Sequence, residues 1–460
     1  MIAATPLDKA IYQKYIEPTE RKRRSHVGVE FELPIVNLKK EPVDFAVIHQ
    51  LTDAFLKQFP FDQISRDDEG HINAAASSKT GDSLSYDCSY NTLELSFGVE
   101  DDLSVLHRRF TEYYTFLQEQ LQRSHHMLTG MGINPYHEYN RKEPIPNGRY
   151  RMLFHHLQSY QNYGDVIPFH THPDFGLFSC ASQVQLDVER DDIPETLNTF
   201  NRLEPLKTLL FANSLWGEQH TLLCSRDQFW KNSLHGLNRR NVDLYEVEFQ
   251  SVAEVVDYLK SMSLYCVERG DKYLNFRPTP LETYFAFRQI TGEYFDGQGY
   301  QTLAFTPELE DLAYLRSFKL VDLTFRGTIE YRSICAQPVA EIMAPAAFHA
   351  GLAEKLPELT QLLAEDTALY GSGYSPIALR ERLNQRGWPS FLEKEKISKL
   401  LLQVLSLAED GLRKRGKGEE RFLQSLYRRA EQLKSPALEM AEGLESGKTV
   451  EDYIIAYAKP

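Results

Sequence analysis

At 460 residues, 42% hydrophobic and 25% charged, the chain has the composition of an ordinary globular protein. It is long enough to bury roughly three quarters of its extended surface. The net charge of −14 argues against nucleic acid or an anionic membrane surface as a partner, and no apolar run approaches the ~20 residues that span a bilayer. An anionic substrate stays open, because local Arg and metal ions reverse the sign inside a cleft.

Met1-Ile2-Ala3-Ala4-Thr5-Pro6-Leu7-Asp8-Lys9 lacks the charged-then-apolar build of a signal peptide. Five cysteines (Cys88, Cys180, Cys224, Cys266, Cys335), odd in number and without CxxC spacing, point to a reducing, cytoplasmic home. Residues 1–25 read as helical and end in the basic run Arg21-Lys22-Arg23-Arg24, a solvated patch ahead of the first strand. A strand follows over 27–37, then a helix over 43–60. Residues 61–91 are polar and Gly/Ser-rich, reading as loops or short hairpins before a strand at 92–97. A long amphipathic helix is predicted over 101–128, followed by a Pro/Gly-rich loop from Gly132 to Tyr150. Helix is expected near 151–163, strand at 178–189, helix at 195–216, and short helices with aromatic-rich loops through the middle third. A fourth strand spans about 322–335, and beyond Pro338 nearly everything reads helical, notably 392–414 and 419–434. Early strands separated by helices of varied length suggest an α+β fold. A catalytic region over 1–375 would carry a packed helical C-terminal element over 376–460.

The four strands share a peculiarity. In Val27-Gly28-Val29-Glu30-Phe31-Glu32-Leu33 the apolar residues take one face and Glu30 and Glu32 the other. Glu94 stands opposite Leu93, Leu95 and Phe97, while Gln183, Gln185 and Asp187 stand opposite Val184, Leu186 and Val188. Thr328-Ile329-Glu330-Tyr331-Arg332 repeats the pattern. Asp87 lies seven residues before Glu94, an odd offset, so it belongs in the preceding turn if it joins Glu94. Two carboxylates two apart on a strand project the same way, about 6.5–7 Å between Cα atoms, and without a counterion one tends to keep its proton. If these strands are neighbours, the wall they form needs divalent cations, and Mg²⁺ on carboxylates is the equipment of phosphoryl transfer. The amides of Gln183 and Gln185 offer a nucleotide site both oxygens and donors. Arg332 suits a phosphate. Plainer alternatives are solvated strand faces for the acids and a salt bridge between Glu330 and Arg332. His170-Thr171-His172 with Asp174 offers two zinc ligands on a strand, against a structural role in a loop. GxGxxG, Walker A and HExxH motifs are missing from the sequence.

These segments, in this order, resemble the glutamate–cysteine ligase family, most closely its plant and proteobacterial branch. The resemblance rests on Val27-Gly28-Val29-Glu30-Phe31-Glu32, Leu93-Glu94-Leu95-Ser96 and Pro146-Asn147-Gly148-Arg149-Tyr150. It continues through Cys180-Ala181-Ser182-Gln183-Val184-Gln185-Leu186-Asp187, then Phe211-Ala212-Asn213-Ser214 with Ser225-Arg226 and Trp230, and closes on Ile329-Glu330-Tyr331-Arg332-Ser333. What it implies is a glutamine synthetase-like fold, a curved, largely antiparallel sheet forming an open funnel with helices packed outside. The implied activity joins the γ-carboxylate of L-glutamate to the amine of L-cysteine, with ATP and a γ-glutamyl phosphate, in glutathione biosynthesis. The implied metal ligands, for two or three Mg²⁺ or Mn²⁺, are Glu30, Glu32, Asp87, Glu94, Glu330 and Gln183. Arg332 then meets the transferred phosphate, and Arg149, Tyr150 and Arg226 meet substrate carboxylates. Gln185 stands where the family commonly has Asn, and the match at Asp87 is looser. A monomer or homodimer is expected. Alternatives are a ligase of the same superfamily with another amine acceptor, a zinc hydrolase on His170 and His172, and a non-catalytic nucleotide or metal sensor.

Overall fold

A computed structural model describes residues 5–164 and 169–460; the first four residues of the predicted N-terminal helix lie outside these. In chain order the strands begin β1 (Val27–Asn37), β2 (Gln63–Arg66), β3 (Ile72–Ala76), β4 (Ser83–Tyr86), β5 (Thr92–Glu100), β6 (His126–Leu128) and β7 (Ser182–Asp187). They continue β8 (Val242–Asp243), β9 (Ser263–Arg269), β10 (Lys272–Pro280), β11 (Ile290–Phe295), β12 (Tyr300–Phe305), β13 (Phe318–Lys319), β14 (Val321–Leu323) and β15 (Thr328–Tyr331). The α-helices up to the middle of the chain are α1 (Pro6–Ile11), α2 (Phe45–Gln58), α3 (Leu103–Gln122), α4 (Gly148–Gln158), α5 (Ile193–Phe211), α6 (Ser225–Lys231), α7 (Val252–Ser261) and α8 (Leu281–Ala286). The remainder are α9 (Ala344–Ala353), α10 (Leu356–Glu365), α11 (Pro376–Leu383), α12 (Lys394–Arg415), α13 (Gln424–Gln432), α14 (Pro436–Glu445) and α15 (Val450–Tyr457).

All four alternating segments fall in one antiparallel sheet, ordered β14-β15-β7-β1-β5-β4-β3-β2, with β6 pairing the far end of β1. Its ends are the edges β14 and β2, so the sheet stays open. The fold is mixed α+β. Because side chains alternate, Val29, Phe31, Leu95, Val184 and Ile329 share the apolar face, all buried. That face meets the helices through ring contacts: Phe31 lies 5.3 Å from Phe110 of α3, and Tyr331 lies 4.6 Å from Phe200 of α5. A second, four-stranded sheet runs β12-β11-β10-β9, and β8 and β13 form a short parallel pair. The C-terminal helices join the same core. Ile397, Leu400, Leu401, Val404, Leu405 and Leu412 of α12 belong to the apolar cluster that holds Val27 and Phe31.

Several predicted elements are corrected. The helix expected over 101–128 stops at Gln122, because His125 takes a left-handed φ of 59° and residues 126–128 pair with β1 instead. The single strand expected over 322–335 is a hairpin, turned at Gly327 (φ 75°) and closed by the Thr324 and Thr328 hydroxyls at 2.7 Å. The middle third hides the four-stranded sheet. The first five residues of β9 are all buried, so no alternation marks it. Residues 20–26 carry no helix.

Candidate active site

The register decides what the polar face holds. Glu32 of β1 stands directly opposite Glu94 of β5, and Glu94 is opposite Ser85 of β4. One row on, Glu30 lies between Ser96 of β5 and Gln183 of β7. In the next row Asp322, Glu330, Gln185 and Gly28 run across four strands. Acids far apart in sequence therefore stand side by side on one wall. Of the predicted site residues, Glu30, Glu32, Asp87, Glu94, Arg149, Tyr150, Gln183, Arg226, Glu330 and Arg332 line a single cavity of about 1400 Å³. Gln185 does not. Its Nε2 bridges Glu30 Oε1 (3.1 Å) and Glu330 Oε1 (2.9 Å) while its Oε1 accepts from Thr328 Oγ1 (3.3 Å), so it braces the row from within.

Local structure aims the other groups. Asp87 sits in the turn between β4 and β5, followed by Cys88 in a left-handed φ of 58°. In Pro146-Asn147-Gly148-Arg149-Tyr150, Asn147 caps α4 by accepting the Tyr150 N–H at 2.8 Å. Arg149 and Tyr150 thereby occupy the first helical turn. Gly148 is required beneath them, since a Cβ there would meet the Tyr273 ring at 2.7 Å. Arg226 opens α6, is buried, and donates through Nε to Ser179 Oγ at 3.2 Å. Arg332 donates to Ser317 O at 3.1 Å and to Glu330 Oε2 at 3.2 Å, so the plain i,i+2 salt bridge is present at this wall.

The electrostatics follow from crowding. Burial first, then the charges of Glu94 and Glu330, push Glu30 above the ordinary carboxylate range. Burial and Asp87 do the same to Glu32; burial, Asp87 and Glu32 do so to Glu94. Burial likewise raises Asp87, with Arg149 opposing. Backbone and amide donors partly offset this. Ala181 N reaches Glu32 Oε2 at 2.7 Å, Gln183 Nε2 reaches Glu32 Oε1 at 2.8 Å, and Ser96 Oγ reaches Glu94 Oε1 at 2.7 Å.

Mutually repelling carboxylates with amide oxygens among them are a donor set suited to a hard divalent cation. Among the described residues, however, no group of three or more His, Cys, Asp or Glu is gathered tightly enough to hold a metal ion. The acids form an open row. The geometry of the described residues gives the zinc alternative no support. His170 and His172 lie in a loop and not on a strand, and both ring nitrogens of His170 meet backbone, Nε2 at Phe229 O (2.9 Å) and Nδ1 at His172 N (3.0 Å).

A family model described as glutamate–cysteine ligase family 2 matches residues 26–451. The chain belongs to the glutamate–cysteine ligase family. Among its relatives, glutamate–cysteine ligase B, chloroplastic, of Oryza sativa subsp. japonica is 22% identical over 434 residues, covering 92% of this chain and 81% of the relative. The chloroplastic enzyme of Brassica juncea is 24% identical over 471 residues, covering 98% and 84%. Among solved structures, glutamate–cysteine ligase from Francisella tularensis in complex with AMP aligns over 94% of this chain and 87% of its own, with 11% identity and a TM-score of 0.47. A bifunctional glutathione synthetase from Pasteurella multocida aligns over 98% and 52%, with 12% identity and a TM-score of 0.47. No helix among the described residues of this ligase is long and apolar enough to cross a membrane.

The sequence reading missed some residues of the site. Asp322, opposite Glu330 in the sheet but behind the cavity lining, is pushed up to about 7 by burial and by the Glu330 charge. It sits between Val321 and Leu323, a short alternation that marked it. Arg316, Lys319 and Arg326 line the cavity itself, and nothing local in the sequence singles them out.

Proposed function

We propose that this cavity joins the γ-carboxylate of L-glutamate to the amine of L-cysteine at the expense of ATP, by way of γ-glutamyl phosphate. The observation that carries the reading is the row of buried carboxylates from β1, β5 and β15 sharing one cavity with Arg149, Arg226 and Arg332. A carboxylate oxygen of glutamate attacks the terminal phosphorus of ATP, and ADP leaves. The amine then attacks the acyl carbon, its proton is lost, and phosphate departs with the C–O bond. Glu30, Glu32, Asp87, Glu94, Glu330 and the Gln183 amide oxygen would hold Mg²⁺ (or Mn²⁺) along this open row, and the cation would supply the positive charge that lets two anions meet at an acidic wall. Arg332, freed in part from Glu330, faces the transferred phosphoryl group through its planar guanidinium. Arg149 and Arg226 hold substrate carboxylates, with Tyr150 packed beside Arg149, whose guanidinium lies 5.5 Å from its ring. Such chemistry needs positioning and charge more than covalent help. Residues 1–375 carry these groups, and the helices over 376–460 pack on them. The test is phosphate release from ATP with a panel of amino acids as acceptors. Turnover should require glutamate, Mg²⁺ and cysteine together; turnover with no amino-acid pair ends the reading.

A further inference from the structure

Arg380 lies in α11, far in sequence from every group assigned above, yet it touches the supports of two of them. It is 3% exposed. Its Nε donates to Asp227 Oδ2 at 2.6 Å, and its Nη1 donates to Glu204 Oε2 at 2.8 Å and to the Glu204 carbonyl at 2.6 Å. Asp227 is the residue after Arg226. Glu204, fully buried, accepts in turn from Ser333 Oγ at 3.1 Å and from Lys207 Nζ at 2.6 Å. Ser333 is the residue after Arg332. One guanidinium thus links the chain neighbours of two cavity arginines, Asp227 directly and Ser333 through Glu204.

The surroundings make this arrangement stiff. Glu204 and Asp227 carry two negative charges, Lys207 and Arg380 two positive ones, so the buried group is balanced and each member is indispensable to the others. Asn384, at the end of α11, donates to Asp227 Oδ2 at 2.7 Å. The same stretch pairs with the backbone leading into α6: Leu223 N reaches Asn384 O at 2.8 Å, and Arg386 N reaches Thr221 O at 2.7 Å. One turn along α6, Lys231 pairs with Asp243 at 2.7 Å and with Glu381, the neighbour of Arg380. α11 therefore grips α6 at its start and its end, and α6 presents Arg226, Asp227, Trp230 and Lys231 to the cavity.

We propose that Arg380 is a positioning residue of the ligase, fixing Arg226 through Asp227 and Arg332 through Glu204 and Ser333, so that the C-terminal element completes the substrate site. The proposal rests on the reading above, in which Arg226 and Arg332 hold substrate anions. Arg380 itself touches no reacting atom. A lysine would keep its charge but lose the fork that reaches two acids at once.

The test is phosphate release from ATP by the full chain with Mg²⁺, cysteine and varied glutamate, for Arg380→Lys, Arg226→Lys and the double variant, with circular dichroism as the fold control. Arg380→Lys is expected to lower kcat/KM for glutamate about 100-fold, the scale for a displaced binding group. In the Arg226→Lys background the same change should do little to the KM for glutamate, because on glutamate binding the two act through one contact, whereas the route through Glu204 and Ser333 serves Arg332 and the phosphoryl group. Parent kinetics in folded Arg380→Lys, or an equal rise in the KM for glutamate in both backgrounds, overturns the proposal. If Arg380→Lys does not fold, Asn384→Ala removes a donor to Asp227 without unbalancing charge. It should raise the KM for glutamate about tenfold, the worth of one buried hydrogen bond; an unchanged KM overturns the proposal. Arg226→Lys alone separates the layers. No effect on the KM for glutamate sinks the carboxylate reading and this proposal with it, whereas an effect there and none from Arg380→Lys sinks the positioning role only.

Discussion

Glu32 and Glu94 face one another across paired strands, and two carboxylates so placed cannot both ionise comfortably without a counter-charge. The consequence is testable through pH. The raised groups Glu30, Glu32 and Glu94 keep protons in the folded state that the unfolded chain has already released. Below the ordinary carboxylate range both states are protonated and nothing is lost. As pH rises from that range toward the raised folded values, the folded state binds more protons than the unfolded one, so stability declines. Metal-free protein is expected to melt at progressively lower temperature across this window, less steeply in Glu94→Gln. Mg²⁺ should raise the melting temperature most at the alkaline end and release protons on binding. Equal stabilisation by Mg²⁺ throughout, read by thermal melts in matched buffers, would remove the cation from this wall. Glu330→Gln and Arg332→Ala should each lower turnover at least about 100-fold, the scale for losing an electrostatic contact in the transition state, with circular dichroism unchanged. Near-parent rates in either would make β15 and the residue that follows it a scaffold.

Elements place these residues, and helix contacts set how firmly. α9 and α12 cross so closely that a Cβ on Gly351 would lie 2.1 Å from Ala408 O, and one on Gly411 would lie 1.9 Å from Gly351 O. Neither glycine needs special dihedrals; both are there because two backbones touch. Gly351→Ala and Gly411→Ala should each cost about 2 kcal/mol, the scale of overpacking in a rigid core, measured by denaturant unfolding. Unchanged midpoints would mean that the crossing is loose. The start of α4 matters in another way. Asn147 satisfies an N–H that the helix cannot, and in doing so it orients Arg149.

At the scale of the whole molecule, the helices beyond residue 375 share their interior with the main sheet. Leu379, Leu383, Ile397 and Leu401 lie in the cluster that holds Val29 and Phe31. A chain cut after residue 375 would expose that surface and strand the acids Glu204 and Asp227 without Arg380. It should show no cooperative unfolding transition and no ATP turnover. A truncated chain that melts sharply and turns over would refute this dependence.

The alternating strands, the acids on their polar faces and the helix over 394–415 were legible in the chain because each is a local pattern: period two for a sheet with one wet face, period 3.6 for a helix packed on one side. Their order in the chain was enough to suggest the family. Local patterns stop at the edge of each element. That Glu32 meets Glu94, that Asp322 meets Glu330, or that Arg380 spans Asp227 and Glu204 depends on strand register and helix docking. β9 was hidden for a related reason: buried from both sides, it shows no alternation. Pairings across hundreds of residues come from the packing of apolar faces that carry no record of their partners, and they exist only once the chain has closed on itself.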